Sequence, residues 1–169
     1  MQESKKSWYV VYTKSRWEKK VYGLLMDKGV EAYCPLNRVR KKWNDRIKWV
    51  EEPLFKSYVF VRVGQEDQTS VRMVNGVVNF VYWLGKPAVV KDKEIAIIRK
   101  FLNDYDEVWA EPVQLQKDMT VTIRSGVFMD KKAKVMKVLN NKVKVVIESI
   151  GFALVAVVDK FNVEMGGKR

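Results

Sequence analysis

From Arg38 to Lys48 the chain carries six cations, Arg38, Arg40, Lys41, Lys42, Arg46 and Lys48, against a single acid, Asp45. Trp43 and Trp49 bracket the dipeptide Asn44-Asp45, a turn signal. Lysines and arginines that reach phosphates give nucleic-acid affinity with a steep salt dependence, and exposed indole rings stack on unpaired bases. Arg16, Lys19 and Lys20 form a second basic group upstream. The whole chain agrees in sign: net charge is +12 with a pI near 9.7, a balance that favours an anionic partner. Any one of these residues is equally at home on a solvated face, so the group is the pointer and not its members.

Other chemistry is poorly supplied. Histidine is absent, which removes the commonest general base and metal ligand. Cys34 is the single cysteine, so neither a disulfide framework nor a zinc ribbon can form within the chain. Its apolar setting, Ala32-Tyr33-Cys34-Pro35, suits a buried inert thiol better than a nucleophile with no imidazole to activate it. Gly166-Gly167-Lys168 lies at the chain end and makes no phosphate loop. These absences argue against an enzyme and predict no metal and no cofactor. No leader or membrane-spanning run is legible, which predicts a cytoplasmic protein.

The elements that must position the basic groups follow from periodicity. Trp8–Thr13 is a β-branched and aromatic strand. Ser15 is placed to cap a helix carrying Trp17, Val21, Leu24 and Leu25 at helical spacing, with Gly29 as its stop. Val30–Pro35 reads as a strand, and Asn37–Val50 as a projecting basic hairpin. Tyr58–Val63, nearly all apolar, reads as a central strand covered on both faces. Gln65–Asn75 is a short helix with Val71 and Val74 inward, stopped by Asn75-Gly76. Val77–Leu84 is a strand, Gly85–Pro87 a turn, and Asp92 caps a helix carrying Ile95, Ile98, Phe101 and Leu102. Acidic residues and Pro112 mark a linker. Beyond it, short strands at 120–124, 133–139, 142–147, 153–158 and 162–164 suggest a small barrel. The expected class is α+β: an N-terminal α/β sandwich with a mainly antiparallel sheet over 1–106, a linker over 107–117 and an SH3-like β-barrel over 118–166.

Several phrases then stand in an order that resembles the NusG family: Trp8-Tyr9-Val10-Val11, Pro53-Leu54-Phe55-Lys56-Ser57-Tyr58-Val59-Phe60-Val61, Val71-Arg72-Met73-Val74-Asn75-Gly76-Val77 and Gly85–Glu94. The second half is similar to a KOW domain at Asp118–Ile123, Ser125-Gly126-Val127-Phe128, Lys134-Val135 and Gly151–Asp159. Ala133 stands where the KOW motif usually has glycine. Glu52-Pro-Leu-Phe55 and Asn75–Val81 are similar to specialised paralogues of the RfaH type, with the UpxY type as a natural subgroup.

The resemblance implies a transcription elongation or antitermination factor, directed to a particular operon and acting as a monomer. It implies that Tyr9, Phe55 and Tyr58 line an apolar concavity gripping the RNA polymerase clamp helices, although each is also a candidate for ordinary core. Thr69 and Ser70 take the positions of hydroxyl residues that touch polymerase in the family. Arg16, Lys19, Lys20, Arg38, Arg40, Lys41, Lys42, Trp43, Arg46 and Lys48 would face DNA of the elongation complex, including its non-template strand. Phe128, Ile150 and Phe152 are candidate KOW-domain contacts for a ribosomal protein or termination factor. No membrane partner is expected. The rival reading is a ribosome-associated or general RNA-binding KOW protein.

Overall fold

The computed structural model describes residues 5–112, 121–123, 131–139 and 142–157. It divides into two units, residues 1–36 with 52–95, and residues 37–51 with 96–169.

In the first unit, β1 (Ser7–Thr13) pairs antiparallel with β5 (Tyr58–Val63) in the register Ser7↔Val63 to Tyr12↔Tyr58. β2 (Glu31–Tyr33) extends the sheet beyond β5. On the other side of β1 lie β6 (Val77–Phe80) and β9 (Val89–Val90), giving a five-stranded sheet. Side chains alternate across a strand, so the register sorts the apolar residues into two groups. Tyr9, Val11, Val59, Val61, Val63 and Phe80 form one core with Val21 and Leu25 of helix α1 (Glu18–Asp27) and with Val71 and Val74. Trp8, Val10 and Phe60 are buried on the opposite face. The two-sided burial expected for Tyr58–Val63 is therefore present, and it accounts for the run's lack of polar alternation.

Helix α1 starts later than its cap signal. Ser15 and Arg16 form a turn, Arg16 takes φ +66°, and the N-cap position belongs to Trp17, which makes no side-chain cap bond. Gly29, at φ +78°, ends the helix as expected, with its N–H bonded to Met26 O. The short helix resolves into a 3-10 turn (Gln65–Asp67) and α2 (Gln68–Arg72).

The strand expected over 77–84 is broken after Phe80. Tyr82–Trp83 (β7) and Lys86–Pro87 (β8) pair instead as a separate ribbon, closed by Leu84 and Gly85 at φ +52° and +78°. Those angles suit a tight hairpin turn. Asp92 is the first residue of α3 (Asp92–Asp104) and not its cap. The Glu94 carboxylate accepts from Lys91 N–H at 3.0 Å, while Glu94 N–H returns to Lys91 O, an arrangement of the capping-box kind. Ile95, Ile98 and Phe101 are buried, as their spacing requires.

In the second unit, β3 (Leu36–Trp43) and β4 (Arg46–Pro53) form the basic hairpin as a two-stranded sheet, with Asn44 at φ +53° in the turn. The segment 107–117, expected as a linker, contains strand β10 (Val108–Pro112). It pairs with β14 (Phe152–Val157) in a sheet ordered β10-β14-β13-β12-β11, where β11 is Val121–Ile123, β12 Lys131–Leu139 and β13 Lys142–Ile147. Neighbouring strands of that sheet run antiparallel throughout. The strand expected at 162–164 lies outside the described residues. The class is α+β with mainly antiparallel sheets, and among the described residues no helix is long and apolar enough to cross a membrane.

Gly76 joins α2 to the sheet and tolerates no side chain. It has φ +95°, and a Cβ there would lie 2.5 Å from Trp17 Cε3 and 2.8 Å from Val21 Cγ2. Its carbonyl accepts from Lys14 N–H at 2.9 Å, so the same residue holds the turn that leads into α1. Gly76→Ala should destabilise the protein by on the order of 1–3 kcal/mol, from left-handed backbone plus overpacking. Urea unfolding measures this directly; an unchanged midpoint would contradict the packing described.

Candidate functional site

The alternation that builds the sheet also decides which aromatics can be reached. Tyr9 projects to the helix-covered face, where its ring meets Phe80 edge-on at 5.8 Å, and only 8% of it is exposed. Phe55 is 1% exposed and packs edge-on against Phe60 at 5.7 Å. Neither presents a contact surface, so both expectations are corrected: these rings are core, on opposite sides of one sheet. Tyr58 is half-buried on the face that carries Phe60, and directly across the strand pair stands Tyr12, 40% exposed. The two rings meet at 5.1 Å, with the hydroxyls a long 3.5 Å apart. Burial, the bond to Tyr12 and the coulombic effect of Tyr12 push the Tyr58 phenol well above its ordinary value, so Tyr58 stays neutral at physiological pH. Sequence reasoning missed Tyr12. Its signal was the alternation Trp8, Val10, Tyr12, but only the strand register could pair it with Tyr58.

The chain just before Tyr58 is held by a buried carboxylate. Glu18, in the first turn of α1 and 5% exposed, accepts from Ser57 N–H at 2.9 Å. Ser57 takes φ +64°, and its carbonyl accepts from Thr13 N–H at 2.9 Å. The helix N-terminus favours a negative charge here, and the bond fixes the turn that delivers Tyr58 to the sheet. Glu18 also acts on Cys34: burial first, then the nearby Glu18 charge, push that thiol up to about 11 against a partial offset from Lys19. The Cys34 thiol is therefore protonated at neutral pH, and it is half-buried where its setting suggested full burial.

Thr69 and Ser70 are exposed on α2. Arg16, Lys19 and Lys20 are exposed around the start of α1, and the Lys20 ammonium stands 4.2 Å from the centre of the Trp17 ring. A ring so engaged holds the lysine stem in place while leaving charge at the surface.

Arg38, Arg40, Lys41, Lys42, Trp43, Arg46 and Lys48 are all exposed along the hairpin. A two-residue turn sets Trp43 opposite Arg46. Trp43, Arg46 and Lys48 then share one face, while Arg38, Arg40, Ile47 and Trp49 share the other. The contacts agree with that sorting: the Arg38 and Arg40 guanidinium carbons lie 5.3 and 5.7 Å from the Trp49 ring centre. The helix bases belong to one unit and the hairpin bases to the other.

Ile150 is largely buried in the 3-10 turn between β13 and β14, and Phe152 at the start of β14 is half-buried; Phe128 lies outside the described residues. A further exposed apolar group, Tyr82, Trp83 and Leu84, sits on the β7–β8 ribbon, where the sequence pattern alone suggests an ordinary strand end. Arg72 ties it down, donating to Tyr82 Oη at 2.9 Å. Among the described residues no cluster of His, Cys, Asp or Glu could hold a metal ion.

These features have counterparts among known proteins. The family model described as transcription termination factor NusG matches residues 6–99. The transcription termination/antitermination protein NusG of Streptococcus pyogenes serotype M3 is 28% identical over 173 aligned residues, covering 94% of this chain and 95% of that protein. The solved structure of Thermotoga maritima NusG, described for its domain interaction, superposes with a TM-score of 0.54 at 28% identity, over 94% of this chain and 96% of that one.

The Cys34 environment yields a pH test. Its thiol is raised in the folded chain above the ordinary 9.0, so between about pH 9 and 11 the folded state holds a proton that the unfolded state has lost. Stability should therefore fall as pH rises through that window, and fall less in Cys34→Ser. Glu18→Gln should bring the thiol down, read as thiolate absorbance against pH; an unmoved titration would remove Glu18 as a cause.

Proposed function

The chain belongs to the NusG family, and we propose that it is a transcription elongation and antitermination factor that binds the clamp helices of RNA polymerase through its N-terminal sheet. The observation that carries this reading is collinearity: the match to a bacterial NusG runs through 94% of this chain and 95% of the relative, not through one domain alone. That extent disfavours a ribosome-associated KOW protein, which has no use for the five-stranded sheet and its helices. The operon-directed character rests on the phrases Glu52-Pro-Leu-Phe55 and Asn75–Val81.

The polymerase-facing surface in this reading is Tyr12 with Tyr58, backed by buried Phe55 and Phe60. A half-exposed aromatic pair on a rigid apolar base has the make-up of an interaction hot spot. Thr69 and Ser70 are proposed as a separate polymerase contact. The basic hairpin is proposed to take DNA of the elongation complex, non-template strand included, with Arg16, Lys19 and Lys20 as a second phosphate-contacting group. The C-terminal sheet is proposed to close as a KOW-type barrel, with Phe152 at its partner face and a ribosomal protein or termination factor as partner. The compartment proposed is the cytoplasm.

Two measurements bear on this. Tyr12→Ala/Tyr58→Ala should lower recovery of core RNA polymerase on the immobilised chain by about tenfold or more, with circular dichroism unchanged. Undiminished recovery, or ribosomes recovered in place of polymerase, would reject the assignment. Replacing Lys41, Lys42, Arg46 and Lys48 by Gln should weaken DNA binding and flatten the dependence of log affinity on log salt. The slope should shrink by about 0.7 for each single-strand phosphate that is no longer neutralised; an unchanged slope would exclude the hairpin as the phosphate-binding element.

A further inference from the structure

The two tryptophans of the hairpin have different fates. Trp49 lies beneath the Arg38 and Arg40 guanidinium groups, whereas Trp43, 63% exposed, borders an open hollow at the hairpin tip. That hollow is lined by Trp43, Asn44, Asp45, Arg46 and Lys48. Its chemistry is mixed in a way that phosphate binding alone does not require. Arg46 and Lys48 share a strand face with Trp43 and suit a phosphate on either side of a stacked base. Asp45 does not: a carboxylate repels phosphate, and it is the one acid between Arg38 and Lys48. Asn44 is accounted for by the turn, since it takes φ +53°. Asp45 is left as an acceptor at the edge of a stacking platform.

We infer that the hairpin tip is a subsite for one unpaired base of a single-stranded nucleic acid, with Trp43 as stacking platform, Arg46 and Lys48 on the flanking phosphates, and the Asp45 carboxylate accepting a hydrogen bond from an exocyclic amino group. The inference rests on the nucleic-acid reading of the hairpin and deepens it from charge attraction to base selection. A duplex is excluded from this subsite, because a paired and stacked base offers Trp43 no free ring face. Among pyrimidines, cytosine presents an amino donor where thymine presents a carbonyl acceptor, so the tip should prefer dC to dT. Stacking on an indole is tolerant of sequence, so the preference comes from Asp45 and the affinity from Trp43.

The test is fluorescence anisotropy of the full chain with short labelled dC and dT oligomers, a dC oligomer carrying abasic positions, and a ribo-C oligomer, each over a series of salt concentrations. Trp43→Ala should weaken dC binding about tenfold with the salt slope unchanged, and Trp43→Phe should retain most of the affinity. The abasic oligomer should bind the unsubstituted chain as weakly as dC binds Trp43→Ala. Asp45→Asn should erase the preference for dC over dT. The DNA or RNA arm with the larger Trp43 effect identifies the strand. Binding that is indifferent to Trp43, or a Trp43→Ala loss equal on intact and abasic oligomers, overturns the subsite while leaving the nucleic-acid reading in place. No binding of any oligomer by the unsubstituted chain overturns both.

Discussion

The antiparallel pairing of Ser7–Thr13 with Tyr58–Val63 is the constraint on which the first unit depends. Both strands lie inside the sheet, and neither has a solvated face along most of its length. Every residue there must go to one side or the other with a period of two. Shifting the register by one residue would send Val59, Val61 and Val63 away from α1 and bring Tyr58 beneath it. Burial of valine on one face and of Trp8, Val10 and Phe60 on the other makes such a slip costly. The same register leaves Tyr12 and Tyr58 paired at the end where the cover thins.

Turn geometry fixes what the strands alone leave loose. Gly76 and Ser57 both occupy left-handed backbone, and each is bound to the residues around α1. Gly76 does so by lacking a side chain against Trp17, Ser57 by donating to buried Glu18. Glycine takes such backbone without strain, whereas the strain at Ser57 persists only where the surroundings over-determine it, and here the surroundings are the helix that covers the core. The position of Tyr58 is thus a consequence of helix packing as much as of strand pairing.

The hairpin follows different physics. It buries little, and its side chains from Arg38 to Trp49 are exposed except for Val39. Its conformation comes from turn chemistry and from arginine stacking on Trp49, while Asn37 ties its base to the Val108 carbonyl. The Tyr12–Tyr58 pair and the exposed cations from Arg38 to Lys48 are therefore carried by separate elements. The sheet surface would give an affinity that salt changes little, and the hairpin one that salt changes steeply.

Local signals were legible residue by residue. Trp8–Thr13 and Tyr58–Val63 read as strands, Gly29 as a helix stop, Asn44-Asp45 as a hairpin turn, and the ordered phrases from Trp8 to Gly76 as a NusG-like chain, because propensity, turn chemistry and charge act over a few neighbouring residues. Aromatic character alone could not separate Tyr9 and Phe55, which are core, from Tyr58, which is not, nor could it find Tyr12. It also could not tell that Val108–Pro112 joins the C-terminal sheet, or that the strand beginning at Val77 breaks after Phe80. Those outcomes depend on which strand lies beside which and in what register. That is a matter of contacts between residues tens of positions apart, as in Tyr12 with Tyr58 or Glu18 with Ser57. Composition and order determined the family and the basic hairpin; only the tertiary pairing decided which aromatic rings remain at the surface.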